Sequence, residues 1–145
     1  MDKFIILRPY QIYGPHQKKN RLIPNAIKSC IKDKVFPCTE GKQLRDFLYV
    51  DDFTNLILKL LKKKQHKSNI FNVGSGNPIK VKKVINLINK ITKRGKPLFG
   101  KIKMRKDEIT ELYPSIEKLK KELNWKPKIN INIGLKKTIL FYEKD

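Results

Sequence analysis

An arginine within the run EGKQLRDFLYVDD, residues 40 to 52, has the setting in this chain that best suits anion chemistry. Arg45 follows Gly41 and precedes a short apolar segment, which predicts an arginine in a glycine-led turn ahead of a strand. Its planar guanidinium offers a fork of donors that matches two phosphate oxygens. Asp51 or Asp52 is placed to cap the helix that follows. The alternative is a surface arginine before an ordinary helix, so the rest of the sequence must decide.

The elements that must position this arginine are buried strands and amphipathic helices. Phe4 to Leu7 is a continuous apolar run, as in a strand that a parallel sheet buries on both faces, and Ile70 to Val73 is predicted as a second short buried strand. The 3.6-residue period of helices appears in five segments, namely Leu22 to Ile31, Phe53 to Leu61, Val84 to Ile91, Ile116 to Leu123 and Ile133 to Tyr142. The pattern predicts an α/β fold without internal repeats.

Length and composition indicate one globular domain. The 145 residues contain enough apolar side chains for a core, and no run of about 18 apolar residues suggests a membrane span. The N-terminal apolar stretch is too short for a secretory signal, so we expect a cytoplasmic protein. The two cysteines, Cys30 and Cys38, form no CxxC pair and have no histidine cluster beside them, which predicts free thiols and no metal site.

A formal net charge of +21 raises the hypothesis of nucleic-acid binding. Only 5 of the 34 basic residues are arginine, and the lysines are scattered over the polar positions of helices and loops. Nucleic-acid readers usually bring arginine to base edges or provide aromatic stacking platforms, and neither pattern occurs here. A lysine-rich coding bias explains the charge as well, so we expect no nucleic-acid partner.

Five motifs stand in an order that resembles the extended short-chain dehydrogenase/reductase family. They are LRPYQIYGP, NRLIP, EGKQLRDFLYVDD, FNVGSG and ELNWKP. The chain, over residues 1–145, looks like the C-terminal half of an NAD-dependent nucleotide-sugar epimerase or dehydratase. The resemblance implies the last strands of a Rossmann-type sheet, about five helices and the small substrate-binding subdomain, without the dinucleotide-binding half.

The resemblance implies that two arginines bind the pyrophosphate of a nucleotide sugar. Arg45 stands at the position of the arginine in the family's RDF motif. Arg105, in MRKDE, stands where a second family arginine contacts the nucleotide diphosphate. A solvated charge on a loop is the alternative for Arg105.

Further site residues follow from the resemblance. Tyr10 takes the place of an aromatic residue beside the nicotinamide, and Gln11 that of an amide, more often asparagine, that contacts the sugar or its phosphate. The resemblance also assigns nucleotide contacts to a loop and to a segment along the base, which are Asn20, Arg21 and Leu22, and Phe36, Pro37 and Cys38. A packing role is the alternative for Phe36.

Two other similarities are interpreted as structural. Asn72, Gly74 and Gly76 in FNVGSG shape a turn after a strand, and their spacing is not that of a dinucleotide fingerprint. Trp125 and Pro127 are expected to pack against and terminate a helix.

The family's glycine-rich cofactor loop and its Tyr-x-x-x-Lys pair do not occur in this sequence. The resemblance implies NAD or NADP in the full-length family, but we expect neither cofactor to bind well to this chain alone, nor the chain alone to catalyse hydride and proton transfer. Strands of a parallel sheet that lack their neighbours should leave an apolar edge exposed. We therefore expect a separate chain with the Rossmann half, or poor behaviour in isolation. A truncated gene, a split enzyme and an excised fragment stay open.

Three functions are compatible with these observations. In the first, the chain is the substrate-binding part of an NAD(P)-dependent nucleotide-sugar epimerase, dehydratase or 4-ketoreductase for surface polysaccharide synthesis. Alternatively, it is a remnant that binds nucleotide sugars without catalysis, or a lysine-rich nucleic-acid-binding protein.

Overall fold

Five helices form most of the regular structure, and the computed structural model describes residues 4–62 and 69–144. All five predicted helices are present, and the first has the predicted bounds. Pro24 lies in its first turn, where backbone N–H groups have no acceptor within the helix, so the N–H that proline lacks is not needed. The helices are α1 (Leu22–Ile31), α2 (Val50–Leu61), α3 (Val81–Thr92), α4 (Glu117–Leu123) and α5 (Ile131–Lys144).

Nine short strands in the described residues form four small sheets. The two predicted buried strands pair in parallel, with Ile6 opposite Ile70. The other seven have only two or three residues, too few to show a period. The strands are β1 (Ile5–Pro9), β2 (Gln11–Tyr13), β3 (Val35–Pro37), β4 (Leu44–Arg45), β5 (Phe47–Tyr49), β6 (Asn69–Val73), β7 (Ile79–Lys80), β8 (Lys96–Leu98) and β9 (Glu111–Leu112).

Arg45 lies in a strand, and its prediction in a glycine-led turn is wrong. Strand β4 is the middle strand of a sheet in which β7 is antiparallel and β9 parallel to it. The ladder places Arg45 opposite Leu112 and Ile79. A neighbour more than 60 residues away therefore fixes this backbone, and a local turn signal cannot reveal such a contact.

The start of α2 also corrects a prediction. Its N-cap residue is Tyr49, which makes no side-chain capping bond, and Asp51 and Asp52 already lie in the first turn. Neither aspartate caps the helix. Both carboxylates still stand near the positive end of the helix dipole, where negative charge is favourable.

The buried side chains form two separate clusters. The first cluster joins α1, α3 and α5 with strands β2 and β5, and contains Ile27, Ile88 and Leu135 without solvent exposure. The second cluster covers one face of the β1–β6 pair with α2 and α4, and contains Phe71, Leu119 and Trp125. Trp125 packs just after the end of α4, as predicted.

The opposite face of the β1–β6 pair carries exposed apolar side chains in the part of the chain that the structure describes. Ile6 and Ile70 face each other across the two strands, and both are exposed, at 42% and 38%. Phe4 is exposed beside them. The sequence predicts an exposed apolar edge, and the structure exposes apolar side chains on a face of this strand pair; we call Ile6 and Ile70 the open sheet face.

The structure also bears on the cysteines, on metal binding and on membrane-spanning helices. Cys30 and Cys38 are free and buried. Within the described ranges, no cluster of His, Cys, Asp or Glu could hold a metal ion. No helix among the described residues is long and apolar enough to cross a bilayer.

Neighbouring positions of β6 give a matched test of this architecture. Phe71 is 2% exposed against α2 and α4, whereas Ile70 is 38% exposed on the open sheet face. We expect Phe71→Ala to lower the free energy of unfolding by about 3–5 kcal/mol, because it leaves a cavity. Ile70→Ala should cost less than about 1 kcal/mol in the isolated chain. Urea unfolding monitored by circular dichroism measures both, and equal losses would contradict the assignment of the two faces.

Candidate anion-binding cleft

Arg45 is a buried cation whose guanidinium joins two parts of the chain. Its Nη1 donates to the carbonyl of Leu44 at 2.8 Å. Its Nη2 donates to the carbonyl of Ile109 at 2.8 Å and to Glu108 Oε1. Arginine has five N–H donors, so these contacts leave the Nε hydrogen and one Nη1 hydrogen for other groups. Arg45 therefore holds the segment around Glu108 against strand β4.

Glu108 brings the second predicted arginine to the same place. Its Oε2 accepts hydrogen bonds from Arg105 Nη2 at 3.2 Å and from Arg105 Nε at 3.4 Å, while Oε1 accepts from Arg45. The side chain of Arg105 is 76% exposed, and those of Arg45 and Glu108 are 10% and 17% exposed. Two positive charges thus meet at one carboxylate, with Arg45 inside and Arg105 at the surface.

A cleft of about 300 Å³ opens beside Arg45. Its lining includes six of the ten residues that the sequence predicts for a site, namely Gln11, Leu22, Phe36, Pro37, Cys38 and Arg45. Strands β2, β3 and β4, the residue directly after β3 and the start of α1 supply these side chains. Since residues from 11 to 45 converge here, the cleft is the candidate site.

Four predicted residues lie outside the lining. Arg105 does not line the cleft, and it is linked to Arg45 through Glu108, which does not line it either. Asn20 and Arg21 are exposed immediately before Leu22, at the start of α1. Tyr10 is partly buried after β1, and its backbone N–H donates to the carbonyl of Val73 at 3.0 Å.

Other lining residues do not follow from the sequence motifs. Asn25 and Ala26 lie one helical turn after Leu22, a spacing that points them to the same side of α1. The remaining residues are Thr39, Gln43, Phe47, Val81, Ile85 and Ile102. Helical spacing could have indicated the first two, but the others meet the cleft only through tertiary contacts.

The thiol in the cleft is not set up as a nucleophile. Burial raises the pKa of the Cys38 thiol, and the neighbouring Cys30 raises it further. The Sγ of Cys38 lies 3.9 Å from the carbonyl oxygen of Phe36. A protonated, apolar sulfur suits a wall of the cleft better than covalent chemistry.

Two buried aspartates of the same sequence run hold loops rather than ligands. Asp46 is fully buried, and its carboxylate accepts the backbone N–H groups of Ser75 at 2.5 Å and Gly76 at 2.7 Å. Gly76 has φ +73°, a conformation that glycine adopts without strain. The FNVGSG motif is therefore a turn held by Asp46, as its structural interpretation predicts.

Asp52 does the same for the segment before α5. Its Oδ1 accepts the N–H of Lys128 at 3.0 Å and its Oδ2 that of Ile129 at 2.8 Å. The side chain is 2% exposed. Asp51 is exposed and lies 3.4 Å from Lys137 Nζ. One acid of the pair is thus a structural clamp and the other a surface charge.

A larger cleft of about 440 Å³ shares Phe47 with the first, but none of the predicted site residues lines it. The Asp46-held loop and the Asp52-held segment form its walls, with Lys83 and Lys128 as its charged residues. Size alone would favour this cleft. Arg45 and the other predicted residues of its lining favour the smaller one, which has the chemistry for a phosphate ester.

Comparison with known proteins agrees with the order of the sequence motifs. A model of the NAD dependent epimerase/dehydratase family matches residues 2–74, from before β1 to the end of β6. The match includes all the predicted residues of the cleft. The chain belongs to this family. Its predicted fold, the C-terminal part of an extended short-chain dehydrogenase/reductase, is confirmed by the solved structures that it resembles.

The names of similar proteins specify different nucleotide sugars. The chain is 34% identical over 142 residues to a CDP-abequose synthase of Salmonella muenchen, with 97% of this chain and 48% of that protein aligned. It is 32% identical over 137 residues to a UDP-glucuronate 4-epimerase of Thermodesulfobacterium geofontis, with 92% and 41% aligned. The chain spans about half the length of the curated relatives that it matches.

A solved structure shows the same arrangement of elements. The UDP-glucose 4-epimerase of Thermotoga maritima, determined with UDP-glucose, superposes with a TM-score of 0.89 at 26% identity. The superposition covers 98% of this chain and 46% of the epimerase. The family fold is therefore present over nearly the whole chain.

The adjacent acids of α2 provide a test of the clamp. We expect Asp52→Asn to lower the free energy of unfolding by about 1–3 kcal/mol, because the neutral amide accepts backbone N–H bonds less strongly and turns a donor toward one of them. Asp51→Asn should change it by less than about 0.5 kcal/mol, since that residue makes only a surface ion pair. Urea unfolding of the two variants checks this, and similar losses would show that the clamp contributes nothing.

Proposed function

We propose that the chain is the nucleotide-sugar-binding part of an NAD(P)-dependent epimerase, dehydratase or 4-ketoreductase that makes sugars for surface polysaccharides. The observation that carries the proposal is the meeting of Arg45 and Arg105 at Glu108, beside a cleft lined by the predicted site residues. Two arginines on one anion give the charge-assisted hydrogen bonds that a diphosphate requires.

The composition of the cleft suits a nucleoside next to that diphosphate. Apolar side chains such as Phe36, Pro37 and Ile85 form its walls, and few polar groups interrupt them. Gln11 and Gln43 bring amides that both donate and accept hydrogen bonds. An apolar cleft with a few convergent polar groups is typical of small-molecule sites.

Relatives support the class of ligand but differ in the base. Their names specify CDP, UDP and dTDP sugars, as in a CDP-abequose synthase, a UDP-glucuronate 4-epimerase and a dTDP-D-glucose 4,6-dehydratase. Abequose synthesis also supports a role in lipopolysaccharide. We therefore propose a nucleotide sugar as the ligand class, in a cytoplasmic setting.

The sequence lacks the family's glycine-rich cofactor loop, and Tyr10, directly after β1, is the one residue assigned to the cofactor. NAD or NADP would supply the hydride chemistry in a full-length enzyme. For this chain we propose ligand binding without catalysis.

A dinucleotide-binding half is proposed to cover the open sheet face. Parallel strands are normally covered on both faces, whereas Ile6 and Ile70 are exposed here. The other half of the relatives' length has no counterpart in this chain. A half of that kind, on a separate chain or as part of a longer polypeptide, would bury this apolar surface.

Titration with nucleotide sugars tests the ligand class. We expect UDP-, CDP-, GDP- or dTDP-sugars to bind the purified chain in calorimetry, and Arg105→Ala to weaken that binding by about tenfold, the effect of losing one hydrogen bond to a charged group. Arg105 is largely exposed, so this substitution leaves the fold intact. Arg45→Lys should also weaken binding, because it keeps the charge and loses the fork.

Arg94→Ala serves as the matched control. Arg94 is also exposed and paired with a glutamate, Glu143, but lies outside the cleft. It should leave affinity unchanged. Failure of a folded chain to bind any of the four nucleotide sugars, or an equal loss in the control, would contradict the proposed function.

Self-association tests the open sheet face. We expect the isolated chain to associate as its concentration rises, and the double variant Ile6→Thr, Ile70→Thr to be more monomeric in sedimentation velocity, because threonine keeps strand propensity and removes apolar surface. Leu140→Thr, at an exposed apolar position on α5, is the control. Equal self-association of the double variant and of Leu140→Thr would contradict association through the open sheet face.

A further inference from the structure

The carboxylate of Glu108 is an unexpected neighbour for an anion site. It bonds both arginines through different oxygens, Oε1 to Arg45 and Oε2 to Arg105. An unpaired carboxylate at this position would repel a phosphate. The carboxylate of Glu108 is instead 17% exposed and paired with the buried Arg45. The neighbouring backbone is fixed as well, since the N–H of Leu44 donates to the carbonyl of Thr110 at 2.8 Å.

We propose that Glu108 is a positioning residue, which holds Arg105 beside Arg45 so that both guanidinium groups face one diphosphate; this inference rests on the proposed function. Arg105 otherwise carries a long, exposed side chain, whose ordering costs conformational entropy. Glu108 fixes that side chain before the ligand arrives. Preorganisation of this kind raises affinity because the cost of ordering is met in the free protein.

The remaining donors are consistent with this role. Arg45 keeps its Nε hydrogen and one Nη1 hydrogen, and Arg105 keeps both Nη1 hydrogens and one on Nη2. The three-residue group retains a net charge of +1. Glu108 therefore orients the two arginines without using all of their donors.

Glu108→Gln separates positioning from repulsion by the sign of its effect. The substitution removes a negative charge, so a merely repelling carboxylate would give tighter nucleotide binding once it is lost. Positioning predicts the opposite, because the glutamine amide turns N–H groups toward one of the arginines. We expect calorimetric affinity for the nucleotide sugar that binds best to fall about tenfold. Glu108→Asp, which keeps the charge on a shorter stem, should lose less.

A double-mutant cycle with Arg105→Ala distinguishes positioning from a general structural role. Once Arg105 is absent, Glu108→Gln should weaken nucleotide binding by much less than tenfold. Equal losses in both backgrounds, or a gain in affinity for Glu108→Gln, would overturn the proposal. Thermal unfolding of each variant verifies that the chain is folded.

A spectroscopic measurement tests Glu108 independently of nucleotide binding. In ¹H–¹⁵N spectra of the arginine side chains, we expect the Nε–H of Arg105 to exchange slowly in the wild type and quickly in Glu108→Gln. The Nε–H of Arg94 should be unaffected. If no nucleotide sugar binds, the proposed function fails, and this signal still decides whether Glu108 orders Arg105. Fast exchange in the wild type would overturn the inference.

Discussion

Hydrogen bonds from backbone N–H groups to two buried carboxylates hold this chain together. Asp46 and Asp52 lie in one short run, yet they bind Ser75 and Gly76 on one side and Lys128 and Ile129 on the other. Each ionised carboxylate accepts two N–H groups, which satisfies a charge that burial would otherwise make costly. The run from β4 to α2 thereby fixes the loop after β6 and the segment before α5.

Arg45 extends this arrangement into the cleft. It stands next to Asp46 and ties down a third distant segment, around Glu108 and Ile109. The same short stretch of sequence thus supplies acidic side chains that organise loops and a basic side chain that organises the anion site. Because the backbone of Arg45 lies in the middle strand of a sheet, its guanidinium is directed by the fold and not by a flexible loop.

Sequence patterns predicted the long elements better than the short ones. The period of α1 gave its exact bounds, since ten residues contain enough turns to show a stripe. Strands such as β4 are two residues long and exist only through their partners, so Arg45 was assigned to a turn. The residue type predicts a helix cap at Asp51 or Asp52, whereas Asp52 accepts the N–H of Lys128, 76 residues away. Motif order identified six lining residues of the cleft, but Glu108 had no signal except its place three residues after Arg105.

The division into two cores has a consequence for how binding and chemistry are shared. The walls of the cleft, including Ala26, Cys38 and Ile85, belong to the first core, while the second core packs against the β1–β6 pair on the side opposite the open sheet face. The binding surface therefore takes its rigidity from the first core. The cleft and the parallel β1–β6 pair of this chain therefore rest on two different clusters of packed side chains.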